Sequence, residues 1–316
     1  MDGTRADPYD PAAIDEATRR ANEVLEALLA TLPTILDLSA AEVRAMRAEG
    51  RSFLGPVVRS PSASDRVIEG PGGPLPLRVF ATPGARAVLL HIHGGGWALG
   101  SHDQQDPMLE ALARATGIAV VSVGYRLAPE HPYPAANDDC EAAALWLVRH
   151  AGAEFGTSRL LIGGESAGAH LAVTTLLRLR DRHALTPFSA ACLTYGAYDL
   201  AFTPSARRWG TRNLVLSTPI LERFREWYAP PDLADPDVSP LQADLSRLPP
   251  AIFSVGTLDP LLDDTLFMSA RWAAAGNVAE LEVHPGGIHA FNAMPTPLAD
   301  RANARIRAFI DRCAGD

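Results

Sequence analysis

Two short segments carry residue types and spacings suited to nucleophilic acyl chemistry. The first is GESAG, Gly164 to Gly168, which matches G-x-S-x-G. A short apolar stretch, RLLIG, precedes it and a long helical pattern follows it. In a strand–turn–helix elbow the Ser166 hydroxyl stands exposed on a sharp turn, and glycines flank it where bulkier residues would clash. Composition alone predicts about 0.1 such matches in this chain, so the flanking strand and helix carry the argument. The second segment is HGGGW, His93 to Trp97, directly after the strand-like AVLLHIH. Chance predicts only about 0.004 matches to it. Three consecutive glycines let backbone N–H groups converge on one point, as an oxyanion hole requires. Gly95 and Gly96 would supply two donors, and Ala167, the residue after Ser166, a third.

A nucleophilic serine needs a base and an orienting acid, in the chain order Ser, acid, His for this layout. Only His284 and His289 follow residue 183. His284 sits inside the strand-like AELEVHP, where a hydrogen-bonded structural role is the default. His289 lies in a glycine-bearing loop after that strand, which makes it the expected base. Asp259 follows the strand AIFSVG at its carboxyl end, where ligand-facing groups collect in parallel sheets, and is the expected acid. Asp199 also follows a strand and is the runner-up. Asp263 and Asp264 read as first-turn residues of the next helix, favoured by its dipole.

The elements that must hold these residues are legible as an alternation. Residues 11–31 read as an amphipathic helix, and a second helix over 39–49 starts at Ser39 with Glu42 three residues on. Strand-like runs at 65–69 and 75–80 flank the turn GPGGP and predict a hairpin. Strands are then expected at 87–93, 118–125, 159–164, 190–196, 251–257 and 279–285. Helices are expected at 109–117, 137–152, 166–183, 262–275 and 298–313. Continuous apolar strands between helices predict a mostly parallel sheet covered on both faces. The stretch 200–240 breaks the rhythm and reads as a helical insert.

Composition narrows the chemistry. The chain has 316 residues, 47% of them hydrophobic, and all 28 of its basic residues are Arg. Without Lys, Schiff-base chemistry, a P-loop and a Ser-Lys hydrolase are excluded for this chain acting alone. A net charge of −9 argues against nucleic acid or an anionic membrane as main partner. Cys140, Cys192 and Cys313 are far apart and show no metal-ligand spacing, so reduced thiols in a cytoplasmic protein are expected. The opening MDGTRADPYDPAAIDEATRR lacks an apolar leader, and no stretch is apolar for the length of a bilayer crossing.

Together the motifs resemble the hormone-sensitive lipase family of α/β-hydrolases, the bacterial family IV esterases. The matching pieces are HGGGW at 93–97, YRLAPEHPYPAANDD at 125–139, GESAG at 164–168, DPLLDD at 259–264 and GGIHAF at 286–291. The resemblance covers residue 75 or so to the C-terminus. It implies an α/β-hydrolase fold, with a mostly parallel eight-stranded sheet and a helical cap. Residues 1–54 would form that cap with help from 200–230, and residues 55–316 the catalytic domain. It also implies a carboxylic ester hydrolase for short to medium acyl esters, with no cofactor and no metal. The triad would be Ser166, His289 and Asp259. Trp97, Tyr125, Tyr198, Trp209 and Ile288 are expected to line the substrate pocket. One departure is Glu165, where Asp is frequent before the nucleophile; the longer carboxylate should alter hydrogen bonds at the elbow.

Neighbouring residues have structural readings. His91 is expected to be a buried hydrogen-bonded residue, His93 to orient the glycine loop, and His170 to belong to a packing network one turn below Ser166. The segment around Tyr125, Arg126, Glu130 and His131 reads as a brace for the loops. An amidase or an N- or O-deacetylase could use the same triad and is the alternative activity. A non-catalytic receptor, as in the similar gibberellin receptors, would lack the histidine present here. A dinucleotide enzyme would need a G-x-G-x-x-G after the first strand, which is missing. A homodimer through an edge strand is open.

Overall fold

The computed structural model describes residues 7–315, so the first six residues of the expected opening MDGTRADPYDPAAIDEATRR lie outside the described residues. Helix α1 (Glu16–Leu29) starts at Asp15, whose carboxylate accepts from the Thr18 amide. Helix α2 (Ala40–Ala48) starts at Ser39, where Ser39 and Glu42 form the reciprocal capping box that their spacing predicts. A hairpin of β1 (Ser64–Gly70) and β2 (Gly73–Phe80) follows. The chain then alternates: β3 (Val88–Ile92), α3 (Asp106–Thr116), β4 (Ala119–Val123), α4 (Ala135–Phe155), β5 (Leu160–Glu165), α5 (Ala167–His183) and β6 (Phe188–Thr194). The insert holds α6 (Pro204–Arg208) and α7 (Thr218–Tyr228). The fold closes with β7 (Ala251–Leu258), α8 (Leu262–Ala274), β8 (Ala279–Ile288) and α9 (Pro297–Ala314).

The eight strands form one sheet in the order β1-β2-β4-β3-β5-β6-β7-β8. β2 runs antiparallel to β1 and β4, and all other neighbours are parallel. The order reverses between β4 and β5, which flank β3. That is a topological switch point, where loops after adjacent strands turn opposite ways and leave a crevice. The glycine loop follows β3 and the GESAG elbow follows β5, so both motifs open into that crevice.

Strand alternation sorts side chains between two cores. Leu90, Ile92, Ile162, Leu193 and Phe253 join the core that also contains α4, α5 and α8 residues. Leu89, Val120, Leu161, Ala190, Cys192 and Ile252 join the core beneath α3 and α9. This period of two is why these strands are apolar throughout: both faces are covered. On the α3/α9 face the next residues toward the carboxyl ends are His91, Gly163, Glu165 and Thr194. That face becomes polar as it approaches the crevice.

A buried ion pair fixes α3 against the antiparallel part of the sheet. Arg78 on β2 is 4% exposed and Asp106 at the start of α3 is 0% exposed. Arg78 Nη2 donates to Asp106 Oδ2 at 2.6 Å and to the Ser60 carbonyl at 2.7 Å. The Ser60 amide donates to the same carboxylate at 2.8 Å. Removing one partner leaves an uncompensated buried charge, so Asp106→Ala should cost about 3–5 kcal/mol of stability, read from urea unfolding midpoints. A loss below about 1 kcal/mol, the size of a surface pair, would contradict this reading.

Candidate active site

The elbow is set by how closely three backbone segments approach. A Cβ added to Gly168 would lie 1.9 Å from the Ile92 carbonyl oxygen, and one on Gly164 would lie 2.3 Å from the same atom. Only glycine allows helix α5 to begin directly against the end of β3. Ser166 between them takes φ 57° and ψ −121°, a conformation that costs a non-glycine residue about 1–3 kcal/mol. Its amide donates to the Thr194 carbonyl at 2.9 Å, which ties the strained residue to β6.

Ser166 Oγ lies 2.9 Å from His289 Nε2, and His289 Nδ1 lies 2.9 Å from Asp259 Oδ2. Asp259 follows β7 and is 1% exposed, with its second oxygen accepting from the Leu261 amide at 2.9 Å. His289 follows β8 and is 5% exposed. The Tyr195 ring sits 4.7 Å from the imidazole, centroid to centroid, and fixes its tilt. The three residues named by their order in the sequence therefore meet in space. Asp199 does not join them; its carboxylate accepts from the Ala201 amide. His284 bonds Ser254 Oγ at 3.1 Å, in the structural role expected of it.

The glycine loop faces the same space. Gly94, Gly95, Gly96, Ser166 and His289 line one cavity of about 710 Å³. Gly95 has φ +126° and Gly96 φ +58°. Among the described residues, the amides of Gly95, Gly96 and Ala167 donate to no protein acceptor. Three free N–H groups beside a serine are what a developing oxyanion would need.

Hydrogen bonds set the tautomers of His93 and His170 beside the site. His93 Nδ1 donates to the Gly94 carbonyl at 2.9 Å, and its ring stacks on Tyr125, whose hydroxyl donates to the His93 carbonyl. His170 accepts at Nδ1 from the Trp97 indole N–H at 3.1 Å and donates from Nε2 to the Val238 carbonyl at 2.9 Å. Protonating His170 would break the Trp97 bond. The brace is also present: Arg126 pairs with Asp139, and the Ala128 amide donates to the Trp97 carbonyl at 3.0 Å. His91 donates or accepts at both nitrogens, 3.0 Å from Ser122 Oγ and 3.1 Å from Glu165 Oε2. The longer carboxylate at position 165 thus reaches across to β3.

The pocket expectation is corrected. None of Trp97, Tyr125, Tyr198, Trp209 and Ile288 lines the cavity. Trp97 stacks on Tyr228, and Tyr125 is turned toward the His93 carbonyl. Tyr198 is fully buried in the main core, and Ile288 packs in a separate cluster. Trp209 packs against that same cluster, and its indole N–H donates to the Arg212 carbonyl. Their proximity in sequence to the motifs misled, because a side chain can turn to the opposite side of its own loop. The cavity is walled instead by Leu29, Leu32, Ile35 and Phe53 from the N-terminal region and by Val215, Ile220 and Phe224 from the insert. Tyr195 was missed too, although its place just past the carboxyl end of β6 could have found it. Asp264 is more than a first-turn charge. It is fully buried and accepts from the Tyr198 and Asp199 amides at 2.7 and 2.9 Å and from Thr203, while burial pushes its pKa up to about 7.

The chain is similar in sequence and in fold to known proteins. A family model described as alpha/beta hydrolase fold matches residues 89–293. The chain is 35% identical over 257 residues to the carboxylic ester hydrolase LipN of Mycobacterium tuberculosis, covering 78% of this chain and 68% of that one. It is 36% identical over 233 residues to an ethyl acetate hydrolase of Pseudomonas putida, covering 71% and 73%. A solved hormone-sensitive lipase from a metagenome library superposes with a TM-score of 0.82 at 28% identity, covering 96% of this chain and 99% of that one.

Burial pulls the pKa of His93 down to about 3, and those of His170 and His284 to about 4. In the unfolded chain these imidazoles titrate near 6.5, so between about pH 6.5 and about 4 the unfolded state binds more protons. Stability then falls as pH is lowered through that window, by up to about 1.4 kcal/mol per pH unit for each imidazole. Tm should drop on moving from about pH 7 to about pH 5, and His284→Gln should flatten part of the slope. A Tm that does not change across that window would contradict the neutral assignments.

Proposed function

This chain belongs to the α/β-hydrolase family, among the hormone-sensitive-lipase-like carboxylesterases, and on that premise we propose that it hydrolyses short to medium acyl esters through Ser166, His289 and Asp259. The observation that carries the reading is the unbroken Asp259–His289–Ser166 chain of hydrogen bonds opening on the glycine loop. Ser166 Oγ attacks the ester carbonyl while His289 Nε2 takes its proton, and Asp259 holds the imidazole in the tautomer that accepts it. The amides of Gly95, Gly96 and Ala167 stabilise the tetrahedral oxyanion, each worth about 2.7–4 kcal/mol by analogy with other such holes. His289 then delivers the proton to the alcohol oxygen as the C–O bond breaks. Water, deprotonated by the same imidazole, attacks the acyl-enzyme and releases the acid.

The segment up to residue 54 and the 200–230 insert act together as the cap over residues 55–316. Support comes from the contacts between them: Arg212 pairs with Glu26 at 2.8 Å and Arg223 Nη2 donates to the Leu36 carbonyl at 3.2 Å. Among the described residues no helix is long and apolar enough to cross a membrane. Three unpaired thiols, two of them buried, fit a reducing compartment such as the cytoplasm. Two copies could pair along the free edge of β8, which bonds only β7 within the sheet.

Ser166→Ala and His289→Ala should each lower kcat on p-nitrophenyl butyrate by about 10⁴-fold or more. Across p-nitrophenyl esters from acetate to palmitate, kcat/KM should peak at chains well short of palmitate. Near-full butyrate activity in Ser166→Ala, or a peak at palmitate, would overturn the respective part of the proposal.

A further inference from the structure

The chain carries a net charge of −9, yet the cavity at Ser166 is basic. Arg44, Arg47, Arg51 and Arg307 line it, against Glu165 as the one carboxylate on its wall among the described residues. Some of these charges are matched within the chain. Arg44 pairs with Glu130, Arg51 pairs with Glu49, and Glu165 bonds His91 at 3.1 Å. Arg47 and Arg307 have no ion pair and no side-chain hydrogen bond among the described residues.

Arg47 is the better placed of the two. It lies in the last turn of α2, within the proposed cap, and is half-buried. Its Nε is shielded from water and has no partner. Burial disfavours its charge, and Asp103 is the acid near enough to oppose this. Asp103 is already engaged, however: it pairs with Arg59 at 3.2 Å and accepts from Ser101 Oγ at 2.6 Å. Gln104 and Gln105 line the same cavity, and their side-chain oxygens are also buried without partners. Buried polar atoms are ordinarily paired, and a buried unpaired cation costs stability. Among the described residues nothing offsets that cost; a bound anion would. The glycine loop links this group to the nucleophile. Gln104 Nε2 donates to the Gly94 carbonyl at 3.4 Å, and a Cβ on Gly94 would lie 3.4 Å from Ser166 Cβ.

We propose that Arg47 anchors a carboxylate on the substrate, so that the preferred ester is an anionic one, such as a monoester of a dicarboxylic acid. The inference rests on the assignment of Ser166 as nucleophile in this cavity. A guanidinium meets a carboxylate with two parallel N–H donors, which fixes position as well as charge. The Gln105 amide can turn its N–H₂ toward the same anion. The four arginines add a field that draws anions into the cleft, although the chain as a whole is acidic. The carboxylate can belong to the acyl or to the alcohol part, and two substrate series separate these.

Monoethyl succinate, glutarate and adipate carry the anion on the acyl part, with ethyl butyrate, valerate and hexanoate as neutral references. 3-Acetoxypropanoate and 4-acetoxybutanoate carry it on the alcohol part, with propyl and butyl acetate as references. Acid release in a pH-stat gives kcat/KM for each. In one series the anionic ester should exceed its reference by at least about tenfold, mostly through KM. Arg47→Gln should lower that anionic-to-neutral ratio by about tenfold or more. Arg47→Lys should keep part of it, because Lys retains the charge without the fork. A second reading needs no catalysis: the free dicarboxylate or hydroxy acid of the favoured series should raise the Tm of the native protein and of Ser166→Ala, but not of Arg47→Gln. Equal kcat/KM for anionic and neutral members of both series overturns the proposal. So does a preference that survives Arg47→Gln, or one that is lost in Arg307→Gln instead. If Ser166→Ala retains ester hydrolysis, the nucleophile assignment fails and the Tm shift still decides the role of Arg47. If Ser166→Ala is inactive and neither anionic esters nor free acids are favoured, the anchor alone fails.

Discussion

The contact on which the rest depends is the approach of the Ile92 carbonyl to Gly164 and Gly168. It brings the end of β3 against the turn between β5 and α5, closer than any side chain would allow. That contact forces Ser166 into a positive-φ turn and lifts its hydroxyl off the sheet. It also sets the glycine loop, which begins two residues after Ile92, beside the serine. Nucleophile and amide donors are thus positioned by one backbone packing event between neighbouring parallel strands. The strain is carried by bonds around the turn, including the Ser166 amide to Thr194 and the His170 amide to the Ser166 carbonyl.

A second layer holds those loops rigid. His93, Trp97, Tyr125, His170 and Tyr228 form a buried aromatic and imidazole group, tied by hydrogen bonds from Trp97, Tyr125, His170 and Tyr228. Arg44 bonds the Ala98 carbonyl at 2.8 Å and pairs with Glu130, so α2 is fastened to the loop that follows the glycines. Asp264 bonds two amides of the loop after β6, beside the strand end that carries Tyr195. The site is built on strand ends, and the loops around it are braced by Arg44 from the cavity wall and by Trp97, Tyr125, His170 and Asp264 from outside it.

Much of this was legible in the sequence because it follows from local rules. Gly164, Ser166 and Gly168 sit between a strand pattern and a helix pattern, and the order Ser166, Asp259, His289 leaves few choices. The strand alternation showed a two-faced sheet, and Ser39 with Glu42 marked a helix start. What could not be read was direction. Trp97, Tyr125 and Tyr198 lie next to the motifs in sequence, yet their side chains turn into the core. Asp264 is indistinguishable from a dipole-favoured surface acid until the loop it holds folds back over it.

The central claim is that Ser166 is a nucleophile activated by His289. The most direct test is covalent labelling with diethyl p-nitrophenyl phosphate, followed by peptide mapping by mass spectrometry. The account predicts a single adduct on Ser166, formed far faster in the native protein than in His289→Ala. An adduct on another residue, or a Ser166 labelling rate that does not depend on His289, would contradict it.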